Sequence, residues 1–126
     1  MSGYVERDYV LRLVQKAALL LARILRLRGE RHDGDALRAA EMAYGELFGI
    51  DRRFLQFLTP AMLADRLGHP RVAQAFCELM AEEADLRKLQ GDPVTASVLA
   101  QQALALLDEA HVPEEGLRLK LRDLRG

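Results

Sequence analysis

Residues 91–110 read GDPVTASVLAQQALALLDEA, and this stretch decides the fold. Ala96, Ala100, Ala103, Leu107 and Ala110 recur at steps of four, three, four and three, which holds them on one stripe of a helix. Four of the five are alanine, the smallest side chain that still favours helix. A row of methyl groups lets a neighbouring helix approach closely, so the stripe predicts a tightly packed partner helix. Asp92 and Pro93 open the helix, because proline loses no hydrogen bond at the first helical position and an aspartate before it accepts from the free N–H groups. Gln90-Gly91 closes the helix before it. A connection this short forces an antiparallel hairpin, with a seam predicted at Ala84, Gly91, Ala96, Ala100, Ala103 and Leu107.

The same punctuation recurs along the chain. Thr59-Pro60, His69-Pro70 and Val112-Pro113 mark further helix starts, and Gly29, Gly34, Gly49 and Gly68 mark other breaks. The predicted helices lie near 5–28, 35–48, 51–57, 60–67, 70–90, 93–110 and 114–124. No segment alternates apolar and polar residues as a half-buried strand does. The helix from Pro70 places Val72, Ala75, Phe76, Leu79, Met80 and Leu86 on one apolar face, and Glu78, Glu82, Glu83 and Asp85 are expected to turn mostly to water. The last helix, with Leu117, Leu121 and Leu124 on one side, is expected to be a loosely docked cap.

Composition agrees with helix. Half of the 126 residues are apolar, 29% are charged, and there are three Tyr, four Phe and no Trp, a balance that fits one domain with a single core. The net charge of −1 weighs against a general binder of nucleic acid or acidic membrane, whose affinity rests on many uncompensated cations. Charge is nonetheless uneven: residues 1–31 carry seven Lys/Arg against three Asp/Glu, and residues 32–111 carry seven against thirteen. The one cysteine, Cys77, can form no intramolecular disulfide, and a cytoplasmic location is the expectation.

The first helix is apolar around most of its circumference. On a helical wheel Arg12, Lys16, Arg23 and Arg26 fall within about 80° of one another, and only Leu19 breaks into that strip. Val10, Leu13, Ala17, Leu20, Ile24 and Leu27 fit heptad a and d positions. So wide an apolar surface needs cover on two sides, from a second layer of helices or a second copy of the chain. Val14, Leu21 and Leu25 are the candidate oligomer surface.

From Glu78 to Ala110 the chain resembles one tetratricopeptide repeat, through Ala84, Gly91-Asp92, Ala96 and Ala103. Ala100 replaces the usual aromatic, and Glu83 and Arg87 stand where Leu and Tyr are usual. Over its full length the order of features is also similar to a bacterial all-helical family of unknown function. There a helix opening with Arg-Asp-Tyr, here Arg7-Asp8-Tyr9, precedes a Leu/Phe-rich stretch and a tetratricopeptide-like hairpin. These resemblances imply an architecture and no reaction.

Motifs with chemical content are few. Residues 59–80 resemble a helix-turn-helix, with Ala64 at the packing position and Gly68 at the turn, but the would-be recognition helix carries Glu78, Glu82, Glu83 and Asp85, which phosphates repel. Asp108-Glu109-Ala110-His111 spells a helicase box without the phosphate loop that box requires; His111 suits the negative end of a helix dipole instead. His32 with Asp33 and Asp35 lacks further ligands at metal-site spacing, so the two aspartates read as helix-capping residues. Cys77 reads as a packing residue. Glu82-Glu83 and Glu114-Glu115 are neighbours on a helix and point about 100° apart, so they read as solvated faces. Tyr4, Tyr9 and Tyr44 show no pattern.

The expected molecule is a single all-α domain, residues 1–126, of about five main helices. Its parts are an N-terminal helix (4–28), middle helices (35–67), a tetratricopeptide-like hairpin (70–110) and a cap helix (113–126). The expected role is a non-catalytic protein–protein interaction or assembly module, homodimeric through the first helix. No catalytic residue, cofactor or metal is expected, and no nucleic-acid or membrane partner. The alternative is a DNA-binding regulator using residues 59–80, and an enzyme comes last.

Overall fold

The computed structural model describes residues 2–126, with side chains from Arg7 onward, and these residues form helices and no strand. In chain order they are α1 (Ser2–Gly29), α2 (Asp33–Phe48), a short 3-10 helix (Arg52–Phe57), α3 (Pro60–Leu67), α4 (Pro70–Leu89), α5 (Pro93–Glu109) and α6 (Glu115–Arg125). Pro60, Pro70 and Pro93 each sit in a first turn. Thr59, His69 and Asp92 cap those turns, accepting from the N–H groups of Met62, Arg71 and Thr95. Pro113 instead stands two residues ahead of α6.

Not every expected break is one. Gly34 lies inside the first turn of α2, and Gly29 is the last residue of α1. The left-handed residue of that turn is Arg31, at φ 62°, and the turn after α5 uses His111, at φ 57°. In both, the next N–H reaches back across the turn, His32 to Leu27 and Val112 to Leu107, so the turn closes by its hydrogen bonds without glycine. Gly91, at φ 83°, does the same between α4 and α5, with Asp92 N–H bonded to Arg87. Asp33 and Asp35 lie in the first turn of α2 and cap nothing: His32 holds the N-cap position, with no side-chain bond.

The hairpin seam is packed. Ala84, Ala96, Ala100, Ala103 and Leu107 are fully buried, Ala110 is half-buried and Gly91 is exposed in the turn. Cys77 and Ala103, nearly equidistant from that turn, meet across the seam, where the Cys77 thiol donates to the Ala103 carbonyl at 3.4 Å. Helices α4 and α5 are thus antiparallel, and the methyl row sets how closely they approach.

Around this hairpin α4 is the central helix, touching α1, α2, α3, α5 and α6. Arg28 at the end of α1 bonds Glu82 and Asp85 toward the end of α4, while Glu41 and Tyr44 of α2 reach Arg87 and Glu83. Helices α1 and α4 therefore run parallel, with α2 antiparallel to both. Tyr44 and Phe48 set their rings edge-on to Phe76, at 5.3 and 5.0 Å between centroids.

The C-terminal helix is firmly docked, contrary to the expectation of a loose cap. Leu121 is fully buried, and Ser97 donates to the Arg125 carbonyl at 2.8 Å. The Arg118 guanidinium grips the Val112 carbonyl at 2.6 and 3.1 Å and the Asp108 carboxylate at 2.6 Å. A half-buried arginine thereby satisfies a carbonyl at the turn.

Candidate functional site

Two features exceed what a helical core requires: a buried polar clamp and an uncovered apolar row.

The clamp centres on Glu83, which has 0% exposure and was expected to face water. Its Oε1 accepts from the Tyr44 hydroxyl at 2.8 Å and from Arg52 Nε at 2.7 Å. Its Oε2 accepts from Arg52 Nη2 at 2.9 Å and Arg87 Nε at 3.2 Å. Arg87 continues to Glu41 at 2.9 Å, and the Arg52 guanidinium lies 5.7 Å from the centre of the Tyr44 ring. A carboxylate this deep is stable only when its charge is matched and its lone pairs are occupied, and here both oxygens accept two bonds each. Burial, then the charge and hydrogen bond of Glu83, push the Tyr44 phenol well above its ordinary range. The result is a fastening of α2, the 3-10 helix and α4. Glu82, also buried, joins α1, α4 and α6: Arg28 reaches it at 2.5 Å and Asp85 at 2.6 Å, and Lys120 bonds Glu82 at 2.8 Å. None of the acidic run on α4 turns fully to water as expected: Glu78 and Asp85 are half-buried, Asp85 on Arg28 and Glu78 accepting from the neutral Gln74 at 3.1 Å.

These roles had a sequence signal that was missed. Val72, Phe76, Leu79, Glu83 and Leu86 follow steps of four, three, four and three, so an acid occupies a core register of α4. An acid at such a position needs cations from elsewhere, and Arg52 and Arg87 supply them. Tyr44, without pattern in the sequence, is the buried hydroxyl of the same cluster. The side chain of Tyr4 lies outside the described residues, and Tyr9 is exposed.

The uncovered row runs along α1. One apolar stripe, Val10, Leu13, Ala17 and Ile24, is buried against the body of the molecule. A second stripe, Leu11, Val14, Ala18, Leu21 and Leu25, recurs at steps of three, four, three and four one position further round. In it Leu11, Ala18 and Leu25 are exposed, Leu25 by 53%, while Val14 and Leu21 are half-buried. No second layer of helices within the described residues covers this stripe. Beside it lies a groove of 360 Å³, walled by Ala18, Leu21, Ala22 and Leu25 of α1, floored by Ala81, and rimmed by Glu78, Leu117 and Lys120. Val14 lines the continuation of the groove toward Arg71 and Gln74. The three residues expected as an oligomer surface are therefore brought onto one continuous face.

The 3-10 helix presents a smaller apolar feature absent from the sequence reading. Residues three apart eclipse in a 3-10 helix, so Leu55 turns inward while Phe54 and Phe57 share the outer side, Phe57 at 68% exposure.

The remaining candidates stay apart. His32, His69 and His111 are exposed. No group of three His, Cys, Asp or Glu among the described residues is placed to hold a metal ion. Burial pushes the Cys77 thiol far up, the opposite of an activated nucleophile. In the helix-turn-helix-like segment, α4 is sheathed by other helices, with Val72, Ala73, Ala75, Phe76 and Cys77 buried in its first half. No described helix is long and apolar enough to cross a membrane. No family model, curated protein or solved structure matches the chain.

Proposed function

We propose that this chain is a non-catalytic assembly module of the cytoplasm that works by contact, pairing as a homodimer through the outer face of α1. The observation that carries the reading is the second apolar stripe. A helix that spends one 3-4 row on its own core and repeats the row on its outer side carries apolar surface that a solitary molecule gains nothing by exposing. The tetratricopeptide resemblance of α4 and α5, a unit known for contact work, supports the same role, and the single buried cysteine suits a reducing compartment. Helix α4, sheathed by its neighbours, favours this reading over the DNA-binding one, which needs a recognition helix free to enter the major groove.

The test is Leu21→Glu. Leu21 is half-buried on the groove wall, so a carboxylate there has room to reach water in the monomer and none in a closed interface. The expected outcome is a parent chain that sediments as a dimer and a variant that keeps its helical circular dichroism while sedimenting as a monomer. A variant that stays folded and paired would place the contact elsewhere.

A further inference from the structure

We propose that His69 makes the first turn of α4 sensitive to pH: its neutral imidazole holds that turn closed, and protonation of the ring releases it. The device works within the single chain, whatever the chain pairs with.

Helix α4 starts with few free donors. Pro70, its first residue, has no N–H, and the N–H groups of Val72 and Ala73 both reach the His69 carbonyl at 3.0 Å. That leaves the Arg71 N–H, which donates to Nδ1 of the His69 ring at 3.1 Å. A ring nitrogen accepts only while it carries no proton, so the bond requires the neutral ring with its hydrogen on Nε2. Protonation sets one donor against another and places a positive charge at the positive end of the helix dipole. Both effects oppose the closed turn.

The other side-chain caps lack this property. Thr59 caps α3 with a hydroxyl, which stays neutral. Asp92 caps α5 and Asp51 caps the 3-10 helix; hydrogen bonds from Thr95 and from Arg53 hold these carboxyls below their ordinary range, Asp51 at about 2. Both stay charged wherever an imidazole titrates. Between about pH 5 and 8, therefore, His69 alone among these caps can change its state. It does so on the helix that touches α1, α2, α3, α5 and α6, and Arg71 also lines the end of the groove beside α1.

Neighbouring charges do not stand in for the bond. Asp65 and Arg66 lie in the last turn of α3, and Arg71 lies on α4 itself. His111 is level with His69 across the hairpin, in the register set by the contact of Cys77 with Ala103. On α1, Val14 lies beside Arg71, while Arg12 and Lys16 point to the side of that helix away from α4. Among the described residues no ion pair reaches the His69 ring. Since the closed turn needs the unprotonated ring, the stability it contributes is fully present above the imidazole range and lost as the pH falls through it.

The test is equilibrium urea unfolding at about pH 8 and about pH 5.5, at one protein concentration, of the parent and of His69→Asn. Asparagine is among the best N-cap residues and does not titrate. An N-cap corresponds to about a fivefold change in the folded-to-unfolded ratio, so on acidification the parent should lose about fivefold against His69→Asn. His32→Asn and His111→Asn, which remove the other two imidazoles, should keep the parent's loss. An equal pH response in the parent and His69→Asn overturns the proposal, as does a loss that disappears with either control instead. Nitrogen-15 NMR of the imidazoles gives a second reading on the folded parent and needs no variant. At about pH 8 the His69 ring should carry its proton on Nε2; a neutral ring protonated on Nδ1 overturns the proposal whatever the variants do.

Discussion

Glu83 shows how one side chain can fasten a fold when its surroundings are complete. Its two oxygens are shared among Tyr44, Arg52 and Arg87, which come from α2, the 3-10 helix and α4 itself. Glu83→Gln removes the charge and sets amide hydrogens against guanidinium donors, leaving Arg52 without its paired carboxylate and Arg87 with Glu41 alone. Breaking a buried pair from one side costs about 3–5 kcal/mol. Arg52 and Arg87 keep about a quarter of their side-chain surface in water, 25% and 26%, so the expected loss lies at the low end, about 3 kcal/mol by urea unfolding. Glu78→Gln, made as a control on the same helix, should stay within about 0.5 kcal/mol of the parent. Equal small effects at both positions would show that Glu83 is hydrated and not the fastening described.

At the scale of elements, the hairpin is legible in the letters and the clamp only at its central acid. The methyl row of α5, the proline at its start and the glycine turn are all local signals, and the fully buried Ala96, Ala100 and Ala103 match them. Whether α4 shows one face or all faces to protein depends on how many helices surround it, which hides the burial of Glu82; Glu83 stands in the core register of Val72, Phe76, Leu79 and Leu86, but its partners Tyr44 and Arg52 are distant in sequence and no local pattern brings them to it. The tight docking of α6 also escaped, because Arg118 reads as a surface cation until the Val112 carbonyl is placed beside it. The seam itself can be tested by size. Ala103→Leu inserts three methylene-sized groups where the Cys77 sulfur already lies 3.4 Å from the backbone oxygen, and overpacking of this kind costs about 1–3 kcal/mol. An unchanged melting temperature would mean that the seam has slack there.

For the whole molecule, α1 is the element whose two sides have different fates. Its inner stripe completes the core, while its outer stripe and the groove beside it remain open to a partner. The wheel predicted cover on two sides, and the fold supplies one of them. A second copy of the chain, which brings an identical apolar row, is the occupant proposed for the other. The most direct test is the mass of the unmodified chain by light scattering at the highest soluble concentration. The account predicts twice the chain mass of 14.2 kDa, falling toward the single-chain value on dilution. A mass that stays at 14.2 kDa at every concentration would contradict it.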